Sequence, residues 1–202
     1  SALLICRPAP TTTRRFAATF LGGNNGVNHN HNDLGTFTVV LDGRTLVLDP
    51  GLEVYSYRTF SEKRYDSQLL NSSGHPVPRV AGCLQSPGAE FRARVLGKEF
   101  SADTDRMVLD LRGAYDVPLL RKLEREFLFD RRGAGSLTIT DSVEFAEPAA
   151  FESALISLGK ATIEGSRVRL ADDQAAITAD AGPGVCRGVP SAGTPRAPSG
   201  AG

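Results

Sequence analysis

A chain of 202 residues, 41% of them hydrophobic, is long enough for one sizeable core, and all-β sandwiches of this length commonly form a single domain. Its formal net charge is zero, which excludes a strong overall pull on nucleic acid, so any recognition of anions must come from a local patch. No apolar run approaches the roughly 18 residues needed to cross a bilayer, so no membrane partner is expected.

In chain order, the sequence begins at Ser1 without a basic and apolar leader, and the missing initiator Met fits a fragment or a processed chain. The first informative stretch is Asn28-His29-Asn30-His31-Asn32-Asp33-Leu34-Gly35. Side chains that bind metal or move protons recur there at every second residue, and in an extended chain His29, His31 and Asp33 share one face. The plain alternative is a solvated polar turn. Alternating runs at 36–41 and 45–49 flank Asp42-Gly43, a dipeptide suited to a type I′ turn, and predict a β-hairpin. Asp49-Pro50-Gly51 closes its second strand, and folding back about Asp42-Gly43 brings Asp49 opposite Thr36, near the end of the histidine segment. An isolated Asp-Pro-Gly also reads as a capped turn.

A single short helix is expected over 61–70, with Ser61 as N-cap and Tyr65, Leu69 and Leu70 on one side. The chain's third histidine, His75, follows in Asn71-Ser72-Ser73-Gly74-His75-Pro76, where Gly and Pro mark a turn. Alternating segments at 90–95, 106–111, 123–129, 137–145, 151–158, 161–170 (broken at Gly165-Ser166) and 175–179 read as short strands with one wet and one dry face. The fold class is therefore all-β, an antiparallel β-sandwich with a jelly-roll-like double sheet. Residues 1–180 form the domain, and 181–202, rich in Gly, Pro, Ser and Ala, read as a disordered tail. Cys6, Cys83 and Cys186 lie far apart and form no CxxC pair, so neither a disulfide framework nor a zinc knuckle is indicated.

Two imidazoles and a carboxylate, with His75 brought in by a turn, make a ligand mix that Zn²⁺ accepts, and three protein ligands leave a position for water or substrate. Ca²⁺ replaces it if oxygen ligands dominate. Metallo-hydrolases with His-x-His-x-Asp-His require a histidine where Leu34 stands, and the glutamate of cupins has no counterpart in Gly35-Thr36-Phe37-Thr38. The ordered succession His29-Asn30-His31-Asn32-Asp33-Leu34-Gly35, a hairpin, Asp49-Pro50-Gly51, Arg64-Tyr65 and Asn71-Ser72-Ser73-Gly74-His75-Pro76 resembles the heparinase II/III family of polysaccharide lyases. That resemblance runs from about Leu3 to the strands near Phe151.

It implies a β-sandwich packed behind a helical toroid, with an acidic polysaccharide in the cleft between them and a periplasmic or secreted location. His29 matches the family's catalytic histidine, and His31, Asp49 and His75 match its zinc ligands. Asp33 is expected to orient an imidazole. The helical toroid, which supplies further catalytic groups in that family, has no counterpart before Ser1, so this chain is expected to be the sandwich half of a longer enzyme and inactive alone. β-Elimination on a uronate requires neutralising its carboxylate, removing the C5 proton and protonating O4. Tyr65 is a candidate for proton relay or sugar contact, and Arg58 and Arg64, with Lys63 and Arg79 nearby, are the local cations for the substrate. The other reading is a non-catalytic sandwich in which a metal staples loops and the surface binds carbohydrate or another domain.

Overall fold

The computed structural model describes residues 2–180; the expected tail and Cys186 lie outside them. Antiparallel strands dominate, and they run β1 (Ala2–Cys6), β2 (Phe16–Gly22), β3 (Asn24–Asn25), β4 (Phe37–Leu41), β5 (Arg44–Val47), β6 (Pro78–Val80), β7 (Gly88–Arg92), β8 (Arg94–Phe100), β9 (Thr104–Asp110), β10 (Leu120–Asp130), β11 (Ser136–Phe145), β12 (Phe151–Ser153), β13 (Lys160–Glu164), β14 (Arg167–Ala171) and β15 (Ala176–Asp180). Two four-stranded sheets, β1-β2-β4-β5 and β11-β10-β9-β8, form the sandwich, flanked by the three-stranded sheet β13-β14-β15.

Period-2 patterning explains the stacking of these sheets. Phe37, Val39 and Leu41 on β4 and Leu123, Phe127 and Phe129 on β10 point inward and are buried, while their neighbours stay partly wet. Phe20 of β2 stacks on Phe127 of the opposite sheet with ring centroids 4.3 Å apart, and Phe16 stacks on Phe129 at 5.6 Å. Such pairs add about 0.5–1.5 kcal/mol each beyond area burial. The flanking sheet is tied on by Arg44, which reaches Asp172 and Asp173 at 2.8 Å each.

The hairpin forms as expected: Asp42 and Gly43 have φ of 52° and 84°, the doubly left-handed pair of a type I′ turn. A register shift between Val39 and Val40 inserts one extra residue, so Val39 pairs with Val47, and Leu48 leaves the hairpin to donate to the Ile156 carbonyl. Asp49 consequently stands beyond the end of the ladder rather than opposite Thr36. Strands β1, β2, β3 and β6 were not foreshadowed by alternation. In place of a helix over 61–70 there are two 3₁₀ turns, Arg58–Phe60 and Glu62–Asp66. Ser61 does cap the second, accepting from the Lys63 amide, but the chain turns extended again at Ser67, because Ser67 and Leu70 are drawn inward.

Arg125 lies on the dry face of β10, between Leu123 and Phe127, and is 0% exposed. All five of its N–H groups are used. Nε and Nη2 donate to the two oxygens of Asp141, its cross-strand neighbour, at 2.7 Å each. Nη2 also reaches Ser153 Oγ at 2.8 Å, and Nη1 reaches the carbonyls of Gly35 at 3.0 Å and Pro76 at 3.1 Å. The expectation that charged residues of this strand sit on its wet face fails at this position, because a saturated guanidinium paired with a carboxylate can be buried. The last two bonds fix the chain just after the histidine segment and just after His75.

Candidate functional site

Beyond β3 the chain does not run as a strand. Asn30 N–H donates to the Val27 carbonyl at 3.2 Å, and His29 within that turn has a left-handed φ of 59°. The shared face expected for His29, His31 and Asp33 is thereby broken: His29 is exposed, while His31 is half-buried. Asn30 and Asn32 are the residues that turn inward. Asn30 donates to the Asn32 side chain at 3.2 Å, and the Asn32 amide donates to the Leu70 carbonyl at 2.9 Å. The Asn32 side chain in turn donates to the Gln85 carbonyl at 3.4 Å, satisfying backbone that would otherwise be buried without a partner.

A second clamp is Gln85. Its side chain accepts from Leu34 N at 3.0 Å and donates to Leu34 O at 2.7 Å, while its backbone N–H donates to Ser72 Oγ at 2.9 Å. The segment carrying His31 is thus bound to the 3₁₀ turn Ser72–Gly74 that precedes His75. Only glycine fits at 74, where a Cβ would come within 2.2 Å of the Gln68 carbonyl oxygen.

These constraints bring His31, Asp49 and His75 together, with one ligand-type atom from each all within 4.8 Å of one another. His75 is 0% exposed. Its Nδ1 lies 2.9 Å from Asp49 Oδ2 and its Nε2 lies 3.1 Å from the Leu69 carbonyl oxygen. Burial pulls the His75 pKa down, but the hydrogen bond and charge of Asp49 outweigh it and hold the group above its ordinary value. Burial pushes the Asp49 carboxyl up, and His75 overcomes that to hold it below the usual range. Burial and the neighbouring His75 lower the His31 pKa, favouring the neutral ring.

The cluster fits a metal on two counts. Metal-bound imidazoles characteristically donate their second N–H to a carbonyl or carboxylate, and the Leu69 carbonyl stands ready for His75 Nε2, leaving Nδ1 on the Asp49 side. His31 Nε2 is buried and has no hydrogen-bond partner among the described residues, an arrangement that is costly unless something occupies its lone pair. Among the described residues the Asp33 side chain makes no hydrogen bond to an imidazole, and Asp49 and the Leu69 carbonyl already hold the His75 ring. Burial pushes the Asp33 carboxyl up to about 6.

The tyrosine at His29 is Tyr55, not Tyr65. The Tyr55 hydroxyl lies 3.3 Å from His29 Nδ1, the two rings stack with centroids 5.8 Å apart, and Phe60 meets His29 edge-on at 6.3 Å. Tyr65 instead lies under the Arg64 guanidinium at 5.8 Å, and its carbonyl accepts from Asn71. The two arginines expected at the substrate are built into the scaffold. Arg58 pairs with Glu53 at 2.6 Å. Arg64 donates from Nε and Nη2 to the Asn30 carbonyl at 3.1 and 2.6 Å, and from Nη1 to the Thr59 carbonyl at 2.9 Å.

Glu53, which sequence patterning did not single out, organises this loop. It accepts from Arg58, from Thr59 Oγ1 at 2.7 Å and from Ser67 Oγ at 2.6 Å. The Ser67 and Thr59 hydroxyls, with Arg58, hold its carboxyl down at about 2. Around it the loop displays Leu52, Val54, Tyr57 and Phe60, with Val54 and Tyr57 more than nine-tenths exposed at 94% and 93%.

No family model matches the sequence, and no curated protein matches it. Solved structures do. A heparinase III with methylated lysines superposes at a TM-score of 0.68 with 15% identity, over 86% of this chain and 26% of that one. The heparan sulfate lyase HepC from Pedobacter heparinus gives 0.67 and 17%, over 85% of this chain and 26% of that one. A mutant of HepC gives 0.63 and 18%, over 79% and 24%. This chain therefore has the fold of one part of these lyases, and it spans about a quarter of the length of the structures it matches.

Proposed function

We propose that this chain is the metal-carrying sandwich portion of a polysaccharide lyase that cleaves uronate-containing acidic polysaccharide, heparan-sulfate-like or alginate-like, by β-elimination. The observation that carries the reading is the His31–Asp49–His75 cluster beside an exposed, aromatic-flanked His29, in a fold shared with a heparan sulfate lyase. His31, Asp49 and His75 would hold Zn²⁺, since two imidazoles and one carboxylate suit it better than the all-oxygen shell Ca²⁺ prefers. Bound there, the ion supplies a fixed positive charge that cross-links three distant chain segments.

In the elimination, the C5 proton passes to a base, the C4–O4 bond breaks with its electrons on O4, C4=C5 forms, and O4 takes up a proton. His29 is the group of this chain placed to accept or return a proton, and Tyr55 orients its ring. With Arg58 tied to Glu53 and Arg64 to two carbonyls, the exposed Lys63 and Arg79 are the nearby cations left for the substrate carboxylate, and further neutralising groups would come from outside the described residues. A helical toroid domain preceding this one is the proposed source, in line with the chain's quarter share of the lyases it matches. A polysaccharide substrate of this kind places the enzyme in the periplasm or outside the cell. The exposed apolar loop at Leu52, Val54 and Tyr57 favours a second reading, a metal-stapled sandwich that docks another domain or carbohydrate without catalysing.

The test is formation of the ultraviolet-absorbing unsaturated uronate from heparin, heparan sulfate, hyaluronan and alginate. The chain alone should give no appreciable product, and the chain within its complete reading frame should give product that His29→Ala abolishes. No product from the complete protein on any of the four would leave the docking reading.

A further inference from the structure

Resting on the metal-site reading above, we propose that Arg64 is the positioning residue that sets His29 and the metal ligand His31 on opposite sides of one turn. Alternation along an extended chain would give these two imidazoles one face. They are separated because His29 takes a left-handed backbone, φ 59°, a conformation uncommon outside glycine that persists where the surroundings over-determine it.

Asn30, the residue between them, closes the turn with its N–H on the Val27 carbonyl. Its own carbonyl receives two N–H groups of the Arg64 guanidinium, at 3.1 and 2.6 Å. The remaining nitrogen of that fork holds the Thr59 carbonyl at 2.9 Å. Thr59 in turn donates from its hydroxyl to Glu53, and next to it stands Phe60, which meets His29 edge-on. One side chain thus ties the turn that bears both histidines to the loop whose aromatic rings receive one of them. A lysine offers a single point charge at this place and cannot bridge two carbonyls in the same planar geometry.

The test is carried out on this chain. Zinc affinity measured by competition with a chelating dye should fall about 10–100-fold in Arg64→Ala, the scale of losses when a group supporting a metal ligand is removed. The metal-free melting temperature should fall as well, because Asn30 and Thr59 are buried and their carbonyls lose this donor, so the rescue and the His29 resonances are what separate positioning from lost stability. Guanidinium, well below denaturing concentration, should restore the affinity, and methylammonium should not. In NMR spectra the His29 ring protons should lose the shielding given by the stacked Tyr55 ring. Arg64→Lys, which keeps the stem and the charge, should show the same losses and serves if Arg64→Ala does not fold. Zinc affinity within about twofold of the parent, unmoved His29 resonances, or equal rescue by methylammonium overturns the proposal. If the unaltered chain takes up no zinc, it is the metal reading that fails. The His29 resonances then decide alone: a shift in either variant supports the positioning role, and no shift overturns it.

Discussion

Replacing Arg125 by Met should destabilise the chain more than any change at the exposed charges. The methionine fills most of the volume of the arginine stem but none of its five hydrogen bonds. Asp141, whose side chain is only 11% exposed, is left as a nearly buried charge without its partner, a loss of about 3–5 kcal/mol in comparable pairs. The Gly35 and Pro76 carbonyls lose their buried donor as well, so that range is the lower end of the expectation. For a domain of this size 1 kcal/mol corresponds to about 2–4 °C, which places the fall in melting temperature at roughly 6–20 °C. Urea denaturation followed by far-ultraviolet circular dichroism, with the slope unchanged, is the assay. Adding Asp141→Leu should recover a good part of the loss, since removing both charges abolishes the uncompensated one. A loss below about 1 kcal/mol in the single variant, or a double variant no more stable than the single, refutes the argument that an uncompensated charge sets the cost.

Other outcomes follow from the site and the core. The chain should bind about one equivalent of zinc and lose it on replacing His31, Asp49 or His75 by Ala; elemental analysis without zinc, and no rise in melting temperature on adding it, would count against the site. His29→Ala should keep metal content and stability while removing lyase activity from the complete protein, whereas His31→Ala should reduce all three, and equal metal loss in both variants would end that division. Because the Glu53 carboxyl is held down at about 2 by Ser67, Thr59 and Arg58, its support of the loop is present above the unfolded value near 4.3 and is lost as pH falls from there to about 2. The near-ultraviolet signal of the loop tyrosines should follow that window, and Glu53→Gln should flatten it. Cys6 is buried with its thiol pushed up to about 12 by burial and Asp105, while Cys83 is exposed; peptide mapping after brief alkylation should find Cys83 modified and Cys6 untouched.

What could be read without coordinates was what depends on neighbours in the chain. Asp42-Gly43 specifies its turn locally, and the dry rows of β4 and β10 follow from period 2. Strand β2, Phe16-Ala-Ala-Thr-Phe-Leu-Gly, carries a weak local signal because Ala and Gly are weak strand formers; its ladder exists because β1 and β4 flank it. The metal trio was legible as a set of residue types, yet the outward turn of His29 was not, since it depends on Arg64 and Asn30, 34 positions apart. Tyr55 and Glu53 were equally hidden, as the 3₁₀ turns that place them are stabilised by side-chain contacts rather than by helical periodicity. Arg125 did leave a signal: a charge in phase with Leu123, Phe127 and Phe129 marks a buried ion pair, and its cross-strand neighbour Asp141 is the matching acid.

Three of the bonds that bring the site's segments together are long-range: Gln85 to Leu34 across 51 positions, Arg125 to Gly35 across 90, Arg125 to Pro76 across 49. Loops of that length close only after the strands they join have found their register, and folds dominated by such contacts form slowly, on the order of milliseconds to seconds. His31, Asp49 and His75 therefore meet late, after both sheets exist. On the proposed metal reading, zinc would act as a late lock for this chain rather than as an early template. Refolding should proceed at the same rate with or without the ion, and the ion should slow unfolding instead, lengthening the life of the folded state rather than hastening its arrival.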